Sequence, residues 1–228
     1  AAQKILDMSA VHQAGYICAM LFVIPGFPLI TGGIDLAKLD MRSGLERIAY
    51  ALLIITAATL TGWATAMVFH FQPADFPDLQ LPTVTRMLLR IVASFFGVYG
   101  FSLMFNSPRK MALAAGLIGM LTNTLRLELI DLAGMPVGIA AFIGAFASGC
   151  IASLVKKYIG FPRISLTVPA IVIMVPGLFM YRGIYYMGLS DVSNGALWLT
   201  KAVLIVIALP LGLVVARLCT DKNFRHCT

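Results

Sequence analysis

Charge is what this sequence has least of: only 12% of its 228 residues are Asp, Glu, Lys or Arg, while 60% are hydrophobic. A soluble domain of this length needs a far more polar surface, so a soluble globule is excluded. Cysteine is sparse too. Cys18, Cys150, Cys219 and Cys227 show no CxxC spacing, and Cys18 and Cys150 lie well inside apolar runs, which excludes a disulfide framework and a zinc site. The three histidines, His12, His70 and His226, are widely separated, and His70 between Phe69 and Phe71 reads as an interfacial residue rather than a ligand. HExxH, GxSxG and carboxylates clustered with histidine are all missing, so nothing marks a membrane-embedded enzyme, and no catalytic residue, metal or cofactor is expected. A signal peptide is not legible, because the first apolar stretch has prolines in its middle and no small-residue cleavage site ahead of a soluble domain.

What is present is a succession of apolar runs with a mean hydropathy of +0.91. Runs at about 13–33, 48–71, 84–105, 111–132, 135–155, 168–188 and 196–219 are each near the ~20 residues a helix needs to cross ~30 Å of hydrocarbon. The expected fold is all-α, a polytopic membrane protein of about seven transmembrane helices. Between the runs lie a charged connector at 35–47, an acidic prolyl loop at 72–83, a basic turn at 107–110, a basic loop at 156–163, a polar loop at 190–195 and a basic tail. The net charge of +7 therefore points to anionic lipid headgroups and not to nucleic acid. Gly138, Ala141, Gly144, Ala145, Ser148 and Gly149 form a small-residue stripe that reads as a helix-packing face.

Two of the runs are interrupted. Pro176-Gly177 sits in the middle of VPAIVIMVPGLFMYRGIYYMG, and Pro25-Gly26 sits in IPGFPLITGGID. Proline removes a donor and clashes one turn back, and glycine tolerates non-helical dihedrals, so each pair frees backbone groups that hydrocarbon cannot solvate. A shift of 151 positions superposes the two pairs and also puts Gly44 on Gly195, Ala51 on Ala202 and Leu53 on Leu204. Interrupted segments in corresponding places are the sequence pointer to a transporter site. Eleven of the seventeen basic residues fall on one side of the seven-span arrangement, which places the C-terminus in the cytoplasm. The two interrupted spans then run in opposite directions, an inverted repeat.

These residues resemble a known family. IPGFPLITGGIDLAKLDMRSGLERIAYALLI is similar to the end of the first membrane repeat of the threonine/serine exporter family. LIGMLTNTLRLEL and VPAIVIMVPGLFMYRGI resemble two stretches of its second repeat, which also occurs as a small subunit in the two-component dicarboxylate exporters of bacteria. The resemblance runs from about Ile24 to Arg217. It implies ten helices in two five-helix repeats, of which this chain has room for seven. Residues 1–71 are then the end of the first repeat with two helices, 72–83 an extracytoplasmic loop, and 84–228 the second repeat with five. The first three helices and a soluble cytoplasmic domain would be missing, so a fragment, a cleaved product or one part of a split assembly is expected.

The resemblance further implies a multi-pass protein of the bacterial inner membrane that exports threonine or serine as a proton-coupled antiporter. The alternatives are a succinate-like dicarboxylate exporter subunit and a non-transporting membrane partner, and a homo-oligomer stays open. Such a substrate needs positive charge for its carboxylate and, if it is an amino acid, an acceptor for its ammonium. Helix N-termini beyond Pro25, Gly26, Pro176 and Gly177 supply N–H groups and a positive dipole end. Arg126 and Arg182 add bidentate contacts, with Asn123 three residues before Arg126 and Tyr181 beside Arg182. Asp35 is the candidate for the ammonium or a coupling proton. Plainer readings compete: Asp35 as an interfacial cap, Arg126 paired with Glu128 or Asp131, Arg86 and Arg90 at the outer interface, and Tyr181, Tyr185 and Tyr186 as an aromatic belt.

Overall fold

The computed structural model describes residues 10–69 and 81–221. Most of the acidic prolyl loop, the first residues and the tail from 222, with His70, His226 and Cys227, lie outside the described residues. Within them the chain is helical: α1 (Ala10–Val23), α2 (Gly26–Ala37), α3 (Met41–Phe69), α4 (Thr83–Met104), α5 (Arg109–Asp131), α6 (Val137–Ile159), α7 (Arg163–Val172), α8 (Gly177–Gly188) and α9 (Val192–Thr220). Among the described residues six spans are long and apolar enough to cross a membrane, and seven when α7 and α8 are taken as one interrupted span. The protein is an all-α polytopic membrane protein, as its composition requires.

Prolines set the helix starts. Pro82, Pro108, Pro136 and Pro162 each stand immediately before a helix, with φ between −52° and −58° and ψ between 138° and 144°. The ring locks φ and disfavours a helical residue ahead of it, so α4 to α7 cannot extend backwards. α6 ends on Gly160 at φ 76°, the left-handed conformation glycine adopts without a Cβ penalty, with Lys156 and Lys157 in its last turn.

The connectors at 35–47 and 190–195 are shorter than expected, because an aspartate starts the next helix early in each. The Ser43 N–H donates to Asp40 Oδ1 at 3.3 Å and the Asn194 N–H to Asp191 Oδ1 at 3.2 Å. These N-caps shrink the connectors to tight turns passing through Leu39 at φ 65° and Ser190 at φ 63°. Asn194 also donates its side-chain amide to Asp191 at 2.7 Å, and the two bonds hold the Asp191 carboxyl below the usual range.

The shift of 151 now relates whole structures. α2 and α8 are each 12 residues long, α3 and α9 each 29, and both pairs start in register. Asp40 matches Asp191, and Leu39 matches Ser190. Gly44 packs against Gly32 O and Leu36, and Gly195 against the corresponding Gly183 O and Met187. The repeat is thus a helix-turn-helix closed by glycine-to-carbonyl contact, not merely a pair of broken spans.

The chain divides into two compact units, and both Pro-Gly pairs fall at the division. Unit one holds the described residues through Pro25, those of Tyr50–Gln80, and Pro176–Ala202; unit two holds Gly26–Ala49, Leu81–Val175 and the described residues from Val203. In unit one, α1 packs on α8. In unit two, α5 is central, packing on α4, α6 and α7, and α2 packs on α7. Helices in lipid gain little from hiding apolar surface from one another, so close van der Waals contact between small residues decides the packing. Val98, Ala115, Ile118, Ala152, Leu166 and Ala170 form that core, while Leu52, Leu53, Val84, Leu88 and Phe96 point outward as lipid-facing residues.

Candidate functional site

In unit two the polar groups converge on Arg126. α5 buries a stripe of Ala115, Gly119, Thr122 and Asn123, and Arg126 continues it one turn further, three residues after Asn123 and four after Thr122. Its Nε donates to Asn123 Oδ1 at 3.2 Å, and Asn123 Nδ2 donates to Ser94 Oγ of α4 at 2.8 Å. Asn123 is 4% exposed and Ser94 3%, so this tether is held out of water. The two Nη groups of Arg126 find no acceptor among the described residues. Gly144 of α6 faces the same place: a Cβ there would lie 3.3 Å from each of Arg126 Cβ, Thr122 O and Met174 Sδ. Met174 belongs to the interruption of span six, between α7 and α8. The stem of Arg126 and the Met174 thioether therefore both border the space left by the missing side chain at Gly144.

Arg126 does not take the carboxylates nearest to it in sequence. Arg90 Nη1 donates to Glu128 Oε1 at 2.9 Å, Arg90 Nη2 donates to Asp131 Oδ2, and Arg86 lies 3.8 Å from Asp131. The reason is rotational. At 3.6 residues per turn Glu128 points about 200° round the helix from Arg126, toward α4. Removing Arg90 takes the hydrogen bonds from two carboxylates and leaves Glu128 without a cation among the described residues, whereas Arg86 contributes only a long, half-exposed contact to Asp131. Arg90→Gln should lower stability by about 1–2 kcal/mol and Arg86→Gln by under about 0.5, read as melting temperature in detergent. Equal melting of the two variants would contradict this ranking.

Asp35 lies elsewhere in unit two. It is 3.1 Å from Arg47, accepts a bond from Ser43 Oγ at 3.3 Å, and closes the turn between α2 and α3. Gly26, at the start of α2, is packed under Val172 and Val175, so apolar groups cover that helix end.

Unit one contains the remaining candidates. Arg182 is 8% exposed and its guanidinium carbon lies 4.7 Å from the centre of the Trp198 ring, with Lys201 Nζ 5.0 Å from the same ring. Tyr181 and Tyr185 are buried with Ala66, which corrects the reading of an aromatic belt for these two. The Tyr181 hydroxyl donates to that of Tyr16 at 3.4 Å, and Tyr16 donates to Gly62 O at 2.5 Å. Behind Pro176, Gly177 begins α8 against Leu21 and Ile24, and no side chain caps the helix. Met180 N bonds Pro176 O, leaving the N–H groups of Gly177, Leu178 and Phe179 without a protein acceptor among the described residues.

Ser94, Met174, Gly144 and Trp198 were not legible as site residues. A lone serine in an apolar helix carries no signal, and Gly144 is visible only as one member of a packing stripe. Ser148, one turn after Gly144, is fully buried, and its Oγ finds no partner among the described residues.

Comparison with known proteins agrees with the apolar pattern. The family model described as "Threonine/Serine exporter, ThrE" matches residues 90–219, and a second threonine/serine exporter model matches residues 1–70. No curated protein and no solved structure matches the chain. With more than half of its length under one of these models, the chain belongs to the threonine/serine exporter family.

Proposed function

We propose that this chain forms the substrate pathway of a secondary transporter that exports threonine or serine across the bacterial inner membrane in exchange for protons, with its C-terminus in the cytoplasm. The observation that carries the reading is Arg126, a guanidinium inside a membrane span, tethered by Asn123 and Ser94 and lacking a carboxylate partner among the described residues. A charge at such a position is costly and is retained where it binds something. Two Nη groups aimed past a fixed Nε suit the two oxygens of a carboxylate. Within unit one, separately, the uncapped N-terminus of α8 offers donors and a positive dipole end, and the same helix carries Tyr181 and Arg182. Asp35 is the proposed proton carrier, since protonation would release it from Arg47.

A second reading is a dicarboxylate exporter. In unit two Asp35 is held by Arg47, and Glu128 and Asp131 by Arg90, so those carboxylates are engaged and an ammonium finds poor reception. Proteoliposomes loaded with labelled threonine, serine or succinate separate the readings. Saturable efflux of threonine or serine, accelerated by an inward proton gradient, is the expected result. Succinate efflux alone would replace the substrate. No flux until a partner subunit or the preceding helices are added would make the chain one part of a split transporter.

A further inference from the structure

Unit two has a cavity of about 300 Å³ at the end that carries the basic connectors. Four cations from different elements line it: Lys38 after α2, Lys156 near the end of α6, Arg163 at the start of α7 and Arg217 in the last turn of α9. Among the described residues one carboxylate, Asp221, shares the wall. Arg163 is fixed there, since its Nη1 donates at 2.8 Å to Thr220 Oγ1, which also accepts from Ser153 Oγ at 2.9 Å. Its Nη2 is buried without an acceptor among the described residues. Lys38 and Lys156 are exposed and have no ion pair among the described residues. Cations gathered round one hollow repel each other, and an anion in the hollow relieves that repulsion.

The rest of the lining identifies the anion. Ile34, Ile164, Leu213 and Val214 form an apolar wall beside the cations. A small soluble anion would leave that wall wet, whereas a molecule with a phosphate at one end and hydrocarbon at the other satisfies both. The cavity lies at the ends of membrane-spanning helices, the level at which headgroups sit, and basic recesses between such helices suit anionic headgroups. We propose that this cavity seats the phosphate of an anionic phospholipid, with the start of its acyl chains against the apolar wall. The inference is independent of what the protein transports.

The test is native mass spectrometry of the full chain in detergent, titrated with phosphatidylglycerol, with phosphatidylcholine and with inorganic phosphate, for the wild type and for Lys38→Gln/Lys156→Gln. Both lysines are exposed, so the double variant keeps its fold. Retained phosphatidylglycerol should exceed phosphatidylcholine in the wild type, and the double variant should bind phosphatidylglycerol about 30-fold more weakly, the loss implied by two basic residues at an anionic surface. Equal retention of both lipids, or undiminished binding in the double variant, would overturn the site. Displacement of phosphatidylglycerol by millimolar inorganic phosphate alone would overturn the lipid as its occupant.

Discussion

Arg126→Ala should lower substrate flux by roughly 10- to 100-fold, the loss of charge-assisted hydrogen bonds worth about 1.5–3 kcal/mol, while the protein still folds. The asymmetry between function and folding follows from the wiring. Among the described residues the side chain makes one hydrogen bond, to Asn123, and no ion pair, so its removal strands no carboxylate and costs about 1 kcal/mol of stability at most. Arg126→Lys should recover part of the flux, because an ammonium keeps the charge but loses the planar fork. Asn123→Ala should fall between wild type and Arg126→Ala, since the guanidinium stays but loses its tether to α4. Flux assayed in proteoliposomes, with melting temperature alongside, checks the series. Wild-type transport by folded Arg126→Ala protein would remove this residue from the pathway.

The second large effect concerns folding. Gly212 of α9 faces α6 so closely that a Cβ would stand 2.6 Å from Phe142 O, 2.9 Å from Ala145 Cβ and 3.0 Å from Phe146 N. Two of those atoms are helical backbone and cannot swing aside. Gly212→Ala therefore pushes two helices apart and should cost about 2–3 kcal/mol, although alanine alone is the better helix former by about 1 kcal/mol. Gly100 of α4 is the control: nothing lies within 4 Å of its Cβ position, so Gly100→Ala should stabilise by roughly 0.5–1 kcal/mol. Thermal unfolding in detergent reads both signs. A Gly212→Ala protein as stable as wild type would mean that α6 and α9 tolerate separation.

Much of this fold was legible because lipid imposes so few choices. Apolar runs long enough to span locate α4 and α5 to within two residues, but α6 runs on to Ile159 and α7 starts at Arg163, inside the expected basic loop, because basic residues at a helix end do not stop it and Pro162 does. Proline acts on its own backbone regardless of what packs on it. The Pro-Gly repeat was legible for the same reason. The aspartate caps were not: Asp40 and Asp191 sit among other polar residues, and only the orientation of the following helix shows which one reaches the N–H three residues on. The site was half legible. Charge in an apolar run marks Arg126 and Arg182, but the partners that select between binding and structure come from other helices. Arg90 lies 38 residues from Glu128, and Ser94 lies 29 from Asn123. Spacing along one helix cannot reveal a neighbour on another.

Gly144 gives the arginine its elbow room, and the three walls around that gap differ in what they would concede. The Thr122 carbonyl is locked into its helix and the Arg126 stem is needed, but the Met174 thioether is pliable. A single methyl at position 144 would press on all three neighbours at once, so shortening Met174 is the one change that would make room for it.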